Sequence, residues 1–176
     1  FGNQVIYDCP MTEEQKVRAM NVLKKNGVFR TVECMNGSYT DEGFKEFLES
    51  HGNEGGNSEL LRWRRQVEDS LNIRPMAEYQ GQPVYKIVIM AESSRQLQEP
   101  EEVLGKDFHL CVQEPDAYGF INGEVINRSF DKGRGVRKVC DFLGIPLEDT
   151  VGFGDSMNDK EMLETVALSV CMANGS

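Results

Sequence analysis

The chain has 176 residues, 39% of them hydrophobic and 27% charged, enough for one ordinary domain or two small ones around a buried core. Asp and Glu number 29 against 19 Lys and Arg, a net charge of −10 that repels phosphate backbones and argues against nucleic acid as a partner. No apolar run is long enough to span a bilayer and no signal-peptide pattern opens the chain, so a cytoplasmic protein with no membrane partner is expected.

The chain opens on Phe1-Gly2-Asn3 without Met and stops at Gly175-Ser176, the look of a truncated chain. Gln4 to Tyr7 reads as a short strand. Thr12 to Gln15 has the capping-box form, and Val17, Met20 and Leu23 follow at helical spacing up to Gly27. Val28 to Met35 reads as a strand, and Asp41 to Ser50, with Phe44, Phe47 and Leu48, as a second helix. The breaker cluster 51–57 is expected to be a loop, and Ser58 to cap a third helix running to Leu71. Pro83 to Ala91 is the clearest strand of the first half, and Glu99 to Leu104 a short helix. His109 to Gln113 and Tyr118 to Ile126 follow as strands, the second interrupted by an Asn122-Gly123 turn signal.

The last part changes character. Gly133 to Leu143 fits a helix with Val136, Val139, Cys140 and Leu143 inward, closed by Gly144 and Pro146. Thr150 to Gly154 is a strand, Asn158 to Ala167 a helix with Met162, Leu163 and Val166 inward, and Leu168 to Met172 a further strand. This alternation marks a parallel α/β layer. The five cysteines, Cys9, Cys34, Cys111, Cys140 and Cys171, include no CxxC pair, so buried reduced thiols are expected rather than a zinc site or a disulfide framework.

The chemistry concentrates in Gly154-Asp155-Ser156-Met157-Asn158-Asp159. Asp155 falls where an apolar strand ends, the position at which open parallel sheets bind ligands. The following helix start favours an anion. Asp155 and Asp159 supply hard oxygen ligands suited to Mg²⁺, and the neutral Asn158 can donate to a phosphate oxygen. A purely structural alternative is that Asp155, Ser156 and Asp159 cap a helix. Lys132 opens the preceding helix, where a cation is unfavourable unless an anion compensates it, and Arg134, Arg137 and Lys138 add charge nearby. The alternative for these four is a solvated basic face.

The string Gly154 to Leu163 resembles the fourth motif, G-D-S-x-N-D-x-x-M-L, of Cof-like phosphatases, subclass IIB of the haloacid dehalogenase (HAD) superfamily. Lys132-Gly133 looks like the family's third motif, and Val170 to Asn174 like its following strand and M-[GA]-N turn. Gly2 to Pro10 is similar to the stretch where the chain leaves the core. The resemblance implies an α/β protein with a partial, C-terminal, Rossmann-like core and an inserted α/β cap domain containing an antiparallel sheet. Residues 1–11 would be a core remnant and linker, 12–126 the cap, and 127–176 the C-terminal part of the core.

In that family an Asp of a D-x-D-G-T motif attacks phosphorus to form an aspartyl-phosphate, and the second Asp of the motif is general acid and base. Carried over, Asp155 is a Mg²⁺ ligand and Asp159 an acid supporting the metal, while Asn158 and Lys132 contact phosphate. Lys132 would also offset charge between nucleophile and phosphoryl oxygens. The implied activity is hydrolysis of small phosphomonoesters, sugar phosphates first and nucleotide or flavin phosphates next.

No D-x-D-G-T occurs in these residues, and the Ser/Thr-Gly-Arg second motif is missing as well. A truncated chain, inactive by itself, is expected, with a degenerate enzyme as the second explanation. One rival function is a non-catalytic binding or regulatory module on the same fold. Another is an ion-pump phosphorylation domain, which would need membrane helices and usually has Gly where Ser156 stands. Met35 to Tyr39, Trp63 with Arg62 and Arg64, and Tyr79 with Gln80 are candidates to read a leaving group, and none is assigned.

Overall fold

A computed structural model describes residues 4–44, 73–112 and 120–175 of the chain. The architecture is mixed α/β, in two compact units: Pro10–Asn127, and a discontinuous unit of Phe1–Cys9 with Arg128–Ser176.

In the unit Pro10–Asn127, helix α1 (Glu13–Lys25) starts on the capping box. Thr12 Oγ1 accepts from the Gln15 N–H at 3.2 Å, and Gln15 Oε1 accepts from the Thr12 N–H at 3.0 Å. Glu13 and Glu14 in the first turn and Lys24 and Lys25 in the last complement the helix dipole. The buried stripe is Lys16, Ala19, Val22 and Leu23, so the expected inner face Val17–Met20–Leu23 is rotated and Val17 is exposed. Ala19, a small residue of little weight in a hydrophobic pattern, is fully buried in the core.

Strands β1 (Phe29–Cys34), β2 (Gly37–Thr40), β3 (Ile73–Pro75), β4 (Val84–Ala91), β5 (Phe108–Val112) and β6 (Ile121–Asn127) form one sheet in the order β3-β2-β1-β4-β6-β5. All pairs are antiparallel except β2 with β3. The central β4 alternates Ile87, Ile89 and Ala91 into a core with Val32, Tyr39, Leu23, Leu97, Leu104, Phe108 and Val125. Helix α2 (Arg95–Leu104) supplies Leu97 and Leu104.

Several elements differ from their expected form. Residues 4–10 form no strand. Helix α2 starts four residues before Glu99, with Pro100 inside it; proline favours a first turn, but here its buried ring is a core contact. Strand β6 runs unbroken through Asn122-Gly123. A Cβ on Gly123 would lie 2.9 Å from the Cys111 carbonyl oxygen, so this glycine marks close strand approach rather than a turn. The β1–β2 hairpin around Met35-Asn36 and the short β3 had no sequence counterpart. The expected helix at Asp41 to Ser50 is described only to Phe44, and the loop 51–57 and the helix from Ser58 to Leu71 lie outside the described residues.

In the discontinuous unit, helix α3 (Lys132–Leu143) is capped by Asp131, whose Oδ1 accepts from the Arg134 N–H at 2.6 Å, and ends on Gly144 at φ 66°. Strand β7 (Val151–Gly154) pairs in parallel with β8 (Leu168–Cys171), Val151 opposite Leu168 and Gly154 opposite Cys171. Between them the expected single helix is a 3-10 turn, Met157–Asp159, followed by α4 (Lys160–Thr165). Gly152 and Gly154 face α4, while Val151, Phe153 and Leu168 are 54%, 65% and 58% exposed. Parallel sheets normally bury both faces, so this apolar face is unusual. Val139 and Leu143 of α3, expected inward, are also exposed; only Cys140 of that stripe is fully buried. Cys140 is likewise the one fully buried thiol among the five: Cys9 and Cys34 are half-buried, and Cys111 and Cys171 are exposed, which corrects the uniform burial expected. Among the described residues no helix is long and apolar enough to cross a membrane.

Candidate active site

The site grows from the carboxyl end of β7. The strand stops at Gly154, the chain turns through Asp155 and Ser156, and the 3-10 turn delivers Asn158 and Asp159 to the start of α4. The first turn of α3 brings Lys132 to the same place. Lys132 Nζ donates to Asp159 Oδ1 at 2.5 Å and to Asn158 Oδ1 at 3.1 Å. Asp159 Oδ2 accepts from the N–H groups of Asp155 at 3.1 Å and Ser156 at 3.3 Å. Ser156 Oγ donates to Asn158 Oδ1 at 2.6 Å.

Asp159 is only 6% exposed, and both of its oxygens are engaged by protein donors. The Lys132 ammonium, helped by the two backbone N–H groups and opposed by burial, holds its carboxyl down at about 2. Asp159 is therefore a fixed anion that anchors a cation and locks the turn. Asp155 is exposed, and among the described residues no side chain engages its carboxylate. Asn158 spends its carbonyl oxygen on Lys132 and Ser156, which leaves its amide N–H pair as donors.

Four residues singled out from sequence, Lys132, Asp155, Asn158 and Asp159, thus come to one turn, Asp155 being tied in through its backbone. Arg134 does not join them: its guanidinium donates to the Ser129 carbonyl at 2.5 Å and pairs with Asp131 at 3.1 Å. Ser156 is expected from sequence only as a candidate cap; it does cap the 3-10 turn, in a capping box with Asp159, and its Oγ also fixes which end of the Asn158 amide meets Lys132. The signal was its place directly after Asp155. An open cavity of about 390 Å³ lies beside the turn, lined in part by Asp155, Ser156, Met157, Lys160, Cys171 and Met172.

Among the described residues no three His, Cys, Asp or Glu side chains gather into a metal cage. One open carboxylate at a strand end still suits Mg²⁺, which keeps waters and needs one or two protein carboxylates beside phosphate. It does not suit a transition metal that requires nitrogen or sulfur ligands.

The family model for haloacid dehalogenase-like hydrolases matches residues 1–176. A Bacillus subtilis protein, 5-amino-6-(5-phospho-D-ribitylamino)uracil phosphatase YitU, is 42% identical over 52 residues, 30% of this chain and 19% of its own. HMP-PP phosphatase of Citrobacter koseri is 37% identical over 73 residues, 42% of this chain and 25% of its own. The chain therefore matches well under half the length of these curated relatives. Among solved structures, a haloacid dehalogenase-like hydrolase from B. subtilis superposes with a TM-score of 0.71 at 22% identity, covering 95% of this chain and 62% of that one. The HAD subclass IIB sugar phosphatase BT4131 superposes with a TM-score of 0.67 at 20% identity, covering 99% and 60%. These two likenesses concern the fold.

Proposed function

The chain belongs to the haloacid dehalogenase-like hydrolases, of the Cof-like kind, and from that premise we propose that its polypeptide is a Mg²⁺-dependent phosphatase of small phosphomonoesters. The observation that carries the reading is the Lys132 ammonium shared between Asn158 and Asp159 at the carboxyl end of β7. A phosphoryl group at this turn would meet the Lys132 charge and the Asn158 amide N–H pair, preorganised donors of the kind that stabilise phosphoryl transfer. Asp159 keeps Lys132 in place. Asp155 would hold Mg²⁺, which when bound supplies positive charge to the phosphoryl oxygens.

No nucleophile of the D-x-D-G-T kind lies in these 176 residues, so we assign that role to sequence outside them and expect the chain by itself to be inactive. The exposed Val151–Phe153–Leu168 face supports this reading, since a parallel sheet of two strands needs further elements against it. We assign Pro10–Asn127 the role of cap. The names of the relatives above, a phosphatase of a phosphoribityl compound and a sugar phosphatase among them, support a small phosphorylated metabolite as substrate. A non-catalytic module is the second reading, favoured by the missing nucleophile motif.

The test is a panel of phosphorylated metabolites given to the full polypeptide with Mg²⁺ and with EDTA. Phosphate release that EDTA abolishes is expected. No release from any phosphomonoester with Mg²⁺ present would leave the binding module.

A further inference from the structure

We propose that Gly133 and Gly154 are positioning residues of the site: their missing side chains let α3 and β7 close on α4 from two sides, so that Lys132 and Asp159 meet. The proposal rests on the reading above only for its consequence in turnover; the geometry stands apart from it.

Neither glycine is required by the backbone, because neither has a positive φ. Space is the reason. A Cβ on Gly133 would fall well inside 3.0 Å of the Glu161 carbonyl oxygen and 2.5 Å from Thr165 Oγ1. The carbonyl belongs to helix α4 and cannot rotate away. Relief requires α4 and the first turn of α3 to part, and that turn carries Lys132. A Cβ on Gly154 would lie 2.7 Å from Asp159 Cβ and 3.1 Å from both Asp159 Oδ2 and Leu163 Cδ1. Leu163 can adjust; the β-carbon of Asp159 can move only with its carboxylate. One substitution displaces the cation, the other the anion.

Gly135 supplies an internal control. It lies two residues further along α3, and a Cβ there would meet nothing within 4 Å. Gly135→Ala and Gly133→Ala both replace a glycine of α3 by a better helix former, a gain of up to about 1 kcal/mol. A purely local helix effect would therefore make the two variants alike.

The experiment compares Gly133→Ala, Gly154→Ala and Gly135→Ala in the full polypeptide. The readout is the side-chain ¹H–¹⁵N signal of the Lys132 ammonium, assigned by its loss in Lys132→Gln, with circular dichroism as the check on folding. An ammonium held in an ion pair is protected from fast exchange; a released one is not. The signal is expected at its original position in Gly135→Ala, and shifted or lost in Gly133→Ala and Gly154→Ala while both remain folded. With a substrate in hand, kcat should fall roughly 10- to 100-fold in those two and KM much less, the scale of a misplacement near 1 Å. If Gly133→Ala does not fold, Gly154→Ala carries the test. Folded variants with an unshifted Lys132 signal would overturn the proposal, and so would failure of both to fold, which would make these glycines packing residues. A displaced Lys132 signal in a protein that hydrolyses no phosphomonoester would keep the positioning role and remove the phosphatase reading.

Discussion

Lys132 and Asp159 are 27 residues apart in the chain and 2.5 Å apart in the fold, joined Nζ to Oδ1, while the same ammonium reaches Asn158 Oδ1 at 3.1 Å. The contact explains a cation at a helix N-terminus, which the helix dipole alone disfavours. It also directs what loss of the cation does. Lys132→Ala removes the charge offered to phosphate and releases Asn158 from its fixed orientation. Turnover by the full polypeptide should fall by about 10²- to 10³-fold, the cost of one preorganised electrostatic donor. Lys132→Arg should restore little of it, because the planar guanidinium cannot replace a compact ammonium between two acceptors. Steady-state kinetics of both variants checks this.

The depressed carboxyl of Asp159 makes the same contact visible in stability. Its value moves from an ordinary 3.8 to about 2 on folding, with the Lys132 hydrogen bond as the first cause. A carboxyl lowered on folding stabilises the folded state fully above its unfolded value and loses that contribution as pH falls through the folded one. The unit containing α3 and α4 should therefore lose stability between about pH 4 and pH 2, and Lys132→Met should flatten that segment by returning Asp159 toward its ordinary value. Carboxyl ¹³C titration of Asp159 and urea midpoints against pH measure both effects. A Lys132→Met profile identical to the original would dissociate the two residues.

Asp155 stands beside this pair in a different state: exposed, at a strand end, its carboxylate taken up by no described side chain. Asp155→Ala should thus leave thermal stability within about 0.5 kcal/mol of the original, as surface substitutions usually do. The same change should abolish Mg²⁺-dependent turnover of the full polypeptide and weaken Mg²⁺ binding followed by calorimetry. Retained metal binding would take Asp155 out of the metal site.

Local sequence carried these elements where a local rule governs them. The Thr12–Gln15 capping box, the Gly144 helix stop and the apolar run of β4 depend on neighbours in the chain and were legible. The motif around Asp155 was legible because strand, turn and helix start follow one another within a few residues. What escaped depends on distant partners. Asn122-Gly123 is a turn signal by local rules, and it is the Cys111 carbonyl of the adjacent strand, 2.9 Å from a Cβ at Gly123, that makes this glycine a point of close strand approach. The inner face of α1 was misplaced because Ala19 carries little hydrophobic weight in a pattern, yet it fits closest to the sheet. The two glycines of the site act through contacts with α4 and its cap that no spacing announces.

Arg30 is another residue whose role only the fold reveals. It lies on β1 amid apolar neighbours, 7% exposed, where an unpaired charge would be costly. Each nitrogen of its guanidinium has a partner: Nε donates to Asp41 Oδ2 at 2.7 Å, Nη2 pairs with Asp41 Oδ1, and Nη1 donates to the Met20 carbonyl at 2.8 Å. Strand, helix α1 and the segment after β2 are thus joined at one side chain. Removing one partner strands the other. Asp41→Ala leaves a buried cation and should cost about 3–5 kcal/mol in the unit Pro10–Asn127, read as a lowered urea midpoint. Replacing Arg30 and Asp41 together with Met and Leu removes both charges and should recover most of that loss. A double variant as unstable as Asp41→Ala would show that the pair does more than cancel its own burial.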